Sequence, residues 1–248
     1  MSALLITFAA LTAIIAVRYL ATSALIHALV QRRPDRPVPP PGAIRHELTL
    51  SLASSAIYAL PAALVLEAWK AGGTRLYSDW DALPLWWLPV SAVLYLVIQD
   101  AHYYWVHRLM HHRTLFRWFH AGHHRSHSPT AFASFAFDLT EAAMVAWVIP
   151  VLALLIPIHI GVLLGLLILM TATATLNHCG VEIWPQRFVR GPVGGWLITA
   201  THHGLHHRRL QTNFGLHFRL WDRLMGTDAM PPPPVMAGPD DGAGPKPA

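Results

Sequence analysis

Histidine is the residue whose type and spacing could do chemistry in this chain. Of 17 histidines, eight fall between His102 and His127 and five between His178 and His207. His107 and His111, in HRLMH, stand four apart. His120, His123 and His124 in HAGHH repeat at i, i+3, i+4, as do His203, His206 and His207 in HGLHH. On a helix, residues at those offsets are neighbours with Cβ atoms about 5–6 Å apart. Each box can therefore aim two or three ring nitrogens at one point. Imidazole is a borderline ligand that suits iron, zinc, copper or nickel. So many ligands exceed what one ion coordinates, and two metals fit better. No HExxH occurs, so the zinc-protease signature is missing. The scattered His27, His46, His159 and His217 read as structural, and His112, His127 and His202 as reserves beside the boxes.

The elements that must hold these boxes are apolar. The chain has 248 residues, 54% hydrophobic and 12% charged, with mean hydropathy +0.38. A soluble domain carries about a quarter charged residues, so the composition predicts a membrane protein. Four apolar regions follow, over residues 1–30, 48–66, 82–99 and 142–177. A spanning helix needs roughly 20 such residues. The first holds Arg18, the second Pro61, and the third Trp86 and Trp87, placed like interface anchors. The fourth is too long for one crossing and contains Pro150 and Pro157. It predicts a helical hairpin turning near 157–161, with a short, partly inserted first arm. The reading is an all-α polytopic bundle of about three spans plus that hairpin.

Charge orients the bundle. The link QRRPDRPVPPPGAIRHE and the segment holding Arg108, Arg113, Arg117 and Arg125 are basic, whereas the link over 70–81 is balanced. The positive-inside tendency puts the basic links, and with them the boxes, on the cytoplasmic side of what reads as a bacterial inner membrane. The net charge of +5 lies in these links, which suits anionic lipid rather than a nucleic-acid groove. A lone Cys179 excludes an internal disulfide and cysteine-ligated iron–sulfur clusters. No cleavable leader is evident, since the first apolar run has no basic n-region. The expected division is 1–85 for N-terminal helices, 86–228 for a catalytic domain and 229–248 for a disordered Pro/Gly-rich tail.

The three boxes, with DAHYYWVHRLMH, NHCGVEIWP and NFGLHFRLWDRLMGTD around them, resemble the fatty acid hydroxylase / sterol desaturase superfamily. The resemblance runs from about Trp86 to Asp228. It implies an integral membrane enzyme with two iron ions that uses O2 to hydroxylate or desaturate a lipid, sterol- or hopanoid-like or fatty acyl. Carried over by motif position, the metal ligands are His107, His111, His120, His123, His124, His203, His206 and His207, with His178 as a further one. Electrons are expected from a separate ferredoxin-like or cytochrome b5-like protein. In the stretch FDLTE, Asp138 stands where many relatives have histidine, and Glu141 is kept. Metal-bound imidazoles commonly donate their second N–H to a carboxylate or carbonyl. On that ground Asp100, Glu182 and Asp222 are nominated as the supporting carboxylates.

Two other classes make distinct predictions. A metal transporter or sensor needs ligands or acids along a path through the spans, and the spans hold almost none. A haem electron carrier needs single histidines facing each other within spanning helices, whereas these are paired outside them.

Overall fold

The computed structural model describes residues 2–231. The expected tail therefore lies, from residue 232, outside the described residues. Helices α1 (Ala3–Val30) and α2 (Ala43–Lys70) are 28 residues each, about 42 Å at 1.5 Å per residue, and pack as an antiparallel pair. Gly42, at φ +82, makes the turn into α2. Helix α3 (Trp87–Met110) follows, then the short α4 (Phe116–Phe119). The long uncharged region forms a hairpin. Its first arm is broken into α5 (Leu139–Val145) and α6 (Val148–Leu155), and its second is α7 (Ile160–His178). Short helices α8 (Gln186–Val189), α9 (Ala200–Arg209) and α10 (Leu220–Leu224) complete the chain.

Helices α1, α2 and α7 are long and apolar enough to cross a membrane. The third expected span differs. Its apolar run is only the first half of α3, and from Gln99 onward the helix carries Asp100, His102, His107 and Arg108. The same helix thus starts apolar and ends polar, with His107 in its last turn.

The two ends of the bundle are tied differently. At one end, β1 (Leu76–Tyr77) pairs in parallel with β2 (Ile158–His159), a two-residue ladder that helical periodicity did not foretell. Trp87 Nε1–H donates to the Pro157 carbonyl at 2.9 Å, and the Tyr95 hydroxyl donates to Ile156 O at 2.9 Å. His159 accepts from the Gly161 N–H, capping α7, and stacks on Trp80. The C-termini of α1, α3 and α7 reach the opposite end, with the N-terminus of α2. Ile26 and Val30 pack there on Ala131, Cys179 and Val181.

One non-helical stretch descends into the bundle. The turn Ala131–Phe135 packs against α1, α2 and α7. In hydrocarbon its carbonyls would be unsatisfied, so such backbone survives only where protein supplies donors. Tyr19 and Ser51 hydroxyls donate to Phe132 O, and the Ser54 hydroxyl donates to Phe137 O. This is why Ser51 and Ser54 can be fully buried in α2.

Candidate metal centre

Nine imidazoles converge where α3, α7, α9 and the box-two turn meet. They form two groups, within each of which the ligand atoms lie within 4.8 Å of one another. One group is His107, His111, His120, His124 and His206; the other is His123, His178, His203 and His207. These are the nine residues nominated from sequence. The groups adjoin: the rings of His124 and His207 have centroids 4.7 Å apart.

The expectation that each box serves one point is corrected. HAGHH sends His120 and His124 to the first group and His123 to the second. HGLHH sends His206 to the first and His203 and His207 to the second. Of the two HxxHH boxes, only HGLHH lies on a continuous helix. In box two, α4 stops at Phe119, and His123–Arg125 is a separate 3-10 turn. Gly122 sits at this break because Asp138 approaches it: an added Cβ would stand 2.1 Å from Asp138 Oδ1.

Ring orientation is fixed from outside. The Nδ1–H of His107 donates to Phe214 O at 2.9 Å, of His206 to Thr212 O at 2.8 Å, of His178 to Ala174 O at 2.8 Å and of His123 to Ala136 O at 3.2 Å. His120 Nδ1–H donates to Glu141 Oε2 at 2.6 Å. These bonds set the tautomer and leave Nε2 pointing inward, the arrangement that metal-bound imidazoles use. Inward Nε2 atoms stand 2.9 Å apart for His107 and His120, 3.1 Å for His124 and His206, 2.8 Å for His178 and His203, and 3.1 Å for His203 and His207. With imidazole–metal bonds of about 2.1 Å, nitrogens at right angles about a shared ion lie about 3.0 Å apart. The observed spacings match. His111 Nε2 is buried without a partner among the described residues, as expected of a group waiting for a ligand.

Electrostatics agree. Burial, reinforced by neighbouring imidazoles, pushes His203 and His207 far below the ordinary histidine range; burial holds His206 at about 4. Neutral rings keep the lone pairs that a cation needs.

The three nominated carboxylates act differently from expectation. None hydrogen-bonds to an imidazole; each accepts from backbone N–H groups of a segment near the site. Asp100 accepts from the N–H groups of His217 and Phe218. Asp222 accepts from Phe214 N–H, Gly215 N–H and the Thr227 hydroxyl, and so fixes the loop whose Phe214 carbonyl holds His107. Glu182 accepts from Thr201 N–H and the Thr199 and Thr201 hydroxyls, closing the N-terminus of α9. The physical reason is reach: carbonyls already occupy the outer nitrogens of His107, His178 and His206. The carboxylate that does meet a ring, Glu141, was not nominated, although its place in FDLTE marked it. Asp138 accepts from Gly122 N–H at 2.7 Å and belongs to neither histidine group. The residue in the unusual position therefore braces the box-two turn.

His112, His127 and His202 fall outside both groups. His46, read as structural, bonds through Nε2 to Gly122 O and holds the same turn. His217 pairs with Gln99 at 3.2 Å, away from the groups.

The model of the fatty acid hydroxylase family matches residues 92–227, more than half the chain and all nine imidazoles. The chain belongs to the fatty acid hydroxylase family. Among similar family relatives, lathosterol oxidase of Rattus norvegicus is 31% identical over 186 residues, covering 74% of this chain and 60% of that protein. A Δ(7)-sterol 5(6)-desaturase of Gibberella zeae is 30% identical over 165 residues, 65% of this chain and 49% of that protein. A very-long-chain aldehyde decarbonylase of Arabidopsis thaliana is 27% identical over 165 residues, 62% of this chain and 26% of that protein. The chain thus spans at most about three-fifths of these three relatives' length. No solved structure matches it.

Proposed function

We propose that the chain is a two-iron, O2-dependent oxidoreductase that hydroxylates or desaturates a C–H bond of a membrane lipid. The observation that carries this reading is the pair of adjoining, buried, all-imidazole groups at one end of a bundle with three membrane-length apolar helices. His107, His111, His120, His124 and His206 would hold one iron, and His123, His178, His203 and His207 the other. When bound, the iron pair supplies O2 activation strong enough for an unactivated C–H bond.

The protein's own residues do the rest. Carbonyls of Phe214, Thr212, Ala174 and Ala136 and the Glu141 carboxylate orient the rings before any ligand arrives. Burial of the groups excludes bulk water, which keeps side reactions out. A lipid is the fitting substrate because an aromatic path leads from the groups into the apolar helices. From His123 an aromatic row passes through Phe137, at 5.6 Å between centroids, to Tyr58 and Phe135, then to Tyr19 on α1. The sterol-acting relatives favour a sterol- or hopanoid-like substrate over a fatty acyl chain. Electrons come from a separate carrier protein, and residues 86–228 form the catalytic domain. The basic loops support a cytoplasmic metal end: of the described arginines and lysines, only Arg18, Lys70 and Arg75 lie away from it.

Metal analysis of the detergent-purified chain tests the reading. About two irons per chain are expected. His123→Ala with His124→Ala removes one ligand from each group and should strip both. A haem absorption band, or metal flux through the protein without oxygen consumption, would sink the proposal.

A further inference from the structure

Helix α3 shows two different faces along its length. Asp100, Tyr103, Tyr104 and His107 are buried, whereas Val90, Val93, Val97, Trp105 and Leu109 are exposed. The exposed five stand three, four, eight and four residues apart, which is one helix face. That outer face therefore stays apolar past Gln99, where the inner face turns polar. Trp87 and Trp105 are 18 residues apart, about 27 Å along the helix, against a hydrocarbon core of about 30 Å. Tryptophan collects at both membrane–water interfaces. With Trp86 and Trp87 at one interface, Trp105 marks the level of the other, at the metal end.

At that level α10 packs on α3, with the Trp105 and Trp221 rings 5.8 Å apart between centroids. The short helix divides its residues sharply. Asp222 is fully buried and grips the loop of Phe214, while Leu220, Leu224 and the following Met225 are exposed, Leu224 by 65%. Trp196, also exposed, lies under the Arg223 guanidinium at 4.1 Å. Exposed apolar side chains beside an arginine at this depth suit acyl chains and phosphates rather than water. The local charge is positive. Asp228 takes two bonds of 2.7 Å from Arg219 and stands 3.8 Å from Arg223 Nε, one carboxylate for two arginines. Among the described residues Arg190 donates to neutral oxygens, of Gln186 and Pro231. Arg190 and Arg223 flank Gly195: an added Cβ there would stand 3.8 Å from the Arg190 carbonyl carbon and 3.8 Å from Arg223 Nη2.

We propose that α10 and Trp196 form an interfacial foot that seats an anionic phospholipid of the surrounding bilayer, with Leu220, Leu224 and Met225 among its acyl chains and Arg223 and Arg190 at its phosphate. The phosphate is a membrane lipid's because the foot continues the exposed apolar stripe of α3 through the Trp105–Trp221 contact. A cluster of arginines at the headgroup level draws anionic lipid by charge. Asp222, on the inner side of the same helix, accepts from Phe214 N–H, and the Phe214 carbonyl orients His107. The membrane surface and the loop behind a ligand thus meet in one turn of helix. This lipid site is independent of the chemistry at the histidine groups.

The test places the full chain in nanodiscs of phosphatidylcholine and phosphatidylglycerol, with a nitroxide attached at Leu224→Cys. The parent chain, whose Cys179 is buried, serves as the labelling blank. A second label at Asp35→Cys, in the polar link after α1, reports an aqueous position. Power saturation should show the Leu224 label colliding more with O2 than with a water-soluble nickel chelate, and the Asp35 label the reverse. Arg223→Glu should lower the retention of phosphatidylglycerol over phosphatidylcholine by about five-fold or more, read by native mass spectrometry of the chain released from the disc. Arg223→Lys should retain it nearly as wild type. A Leu224 label as open to nickel as the Asp35 label overturns the foot. So does dipolar broadening between labels on two copies, which would make this face a self-association surface. Unchanged lipid selectivity in Arg223→Glu overturns the phosphate contact.

Discussion

The two histidine groups use the same ligand chemistry and are supported by different means. The first has five imidazoles, a carboxylate on one of them, and two carbonyls from the loop after α9. The second has four imidazoles, braced by carbonyls from α7 and from the descending 131–138 stretch. A carboxylate behind an imidazole raises its basicity more than a carbonyl does, so the first group is built for the firmer hold. The second is the more fully buried: all four of its rings are buried, whereas His111 of the first is partly exposed. One site is thus held through a carboxylate, the other through backbone alone.

Single ligand deletions break the comparison most directly. His124→Ala should cost the iron of the first group and His207→Ala that of the second, each lowering the content by about one iron per chain. Loss of both irons from either variant would show that the groups fill as a unit. Next in size is Glu141→Gln, which should weaken the first site about 10–100-fold in chelator competition and leave the second nearly unchanged. Asp222→Asn should lower stability by about 2–3 kcal/mol, since an ionised acceptor of three bonds is lost, and the first site should loosen with it. Thermal unfolding with and without iron separates those two effects. The smallest change is expected for Glu182→Gln, about 1 kcal/mol from a weakened α9 N-terminus, felt chiefly at His203 in the second group.

Most of the site was legible because its signal is local. Spacing alone placed His107 with His111 and flagged both HxxHH boxes, and four apolar regions foretold a helical bundle with a hairpin near Pro157. The division of the two HxxHH boxes between two groups was not legible, because it depends on how four separate segments approach. His123 and His124 are adjacent in sequence, and their side chains leave the 3-10 turn toward different groups. The roles of Asp100, Glu182 and Asp222 were misread for a related reason. Helical spacing does place Asp100 two turns before His107, but the loop at 217–218 comes in from more than a hundred residues away to take its oxygen. The β1–β2 ladder is two residues long, too short for any periodicity to announce.

The division of the last box also has a consequence for biosynthesis. Each group borrows from HGLHH: the first needs His206, the second needs His203 and His207. A ribosome makes this box after every other ligand, so no nascent or C-terminally truncated chain ending before residue 203 contains a complete set for either ion. The order of the sequence therefore acts as a safety catch, withholding a complete imidazole set until the scaffold that contains it has been made.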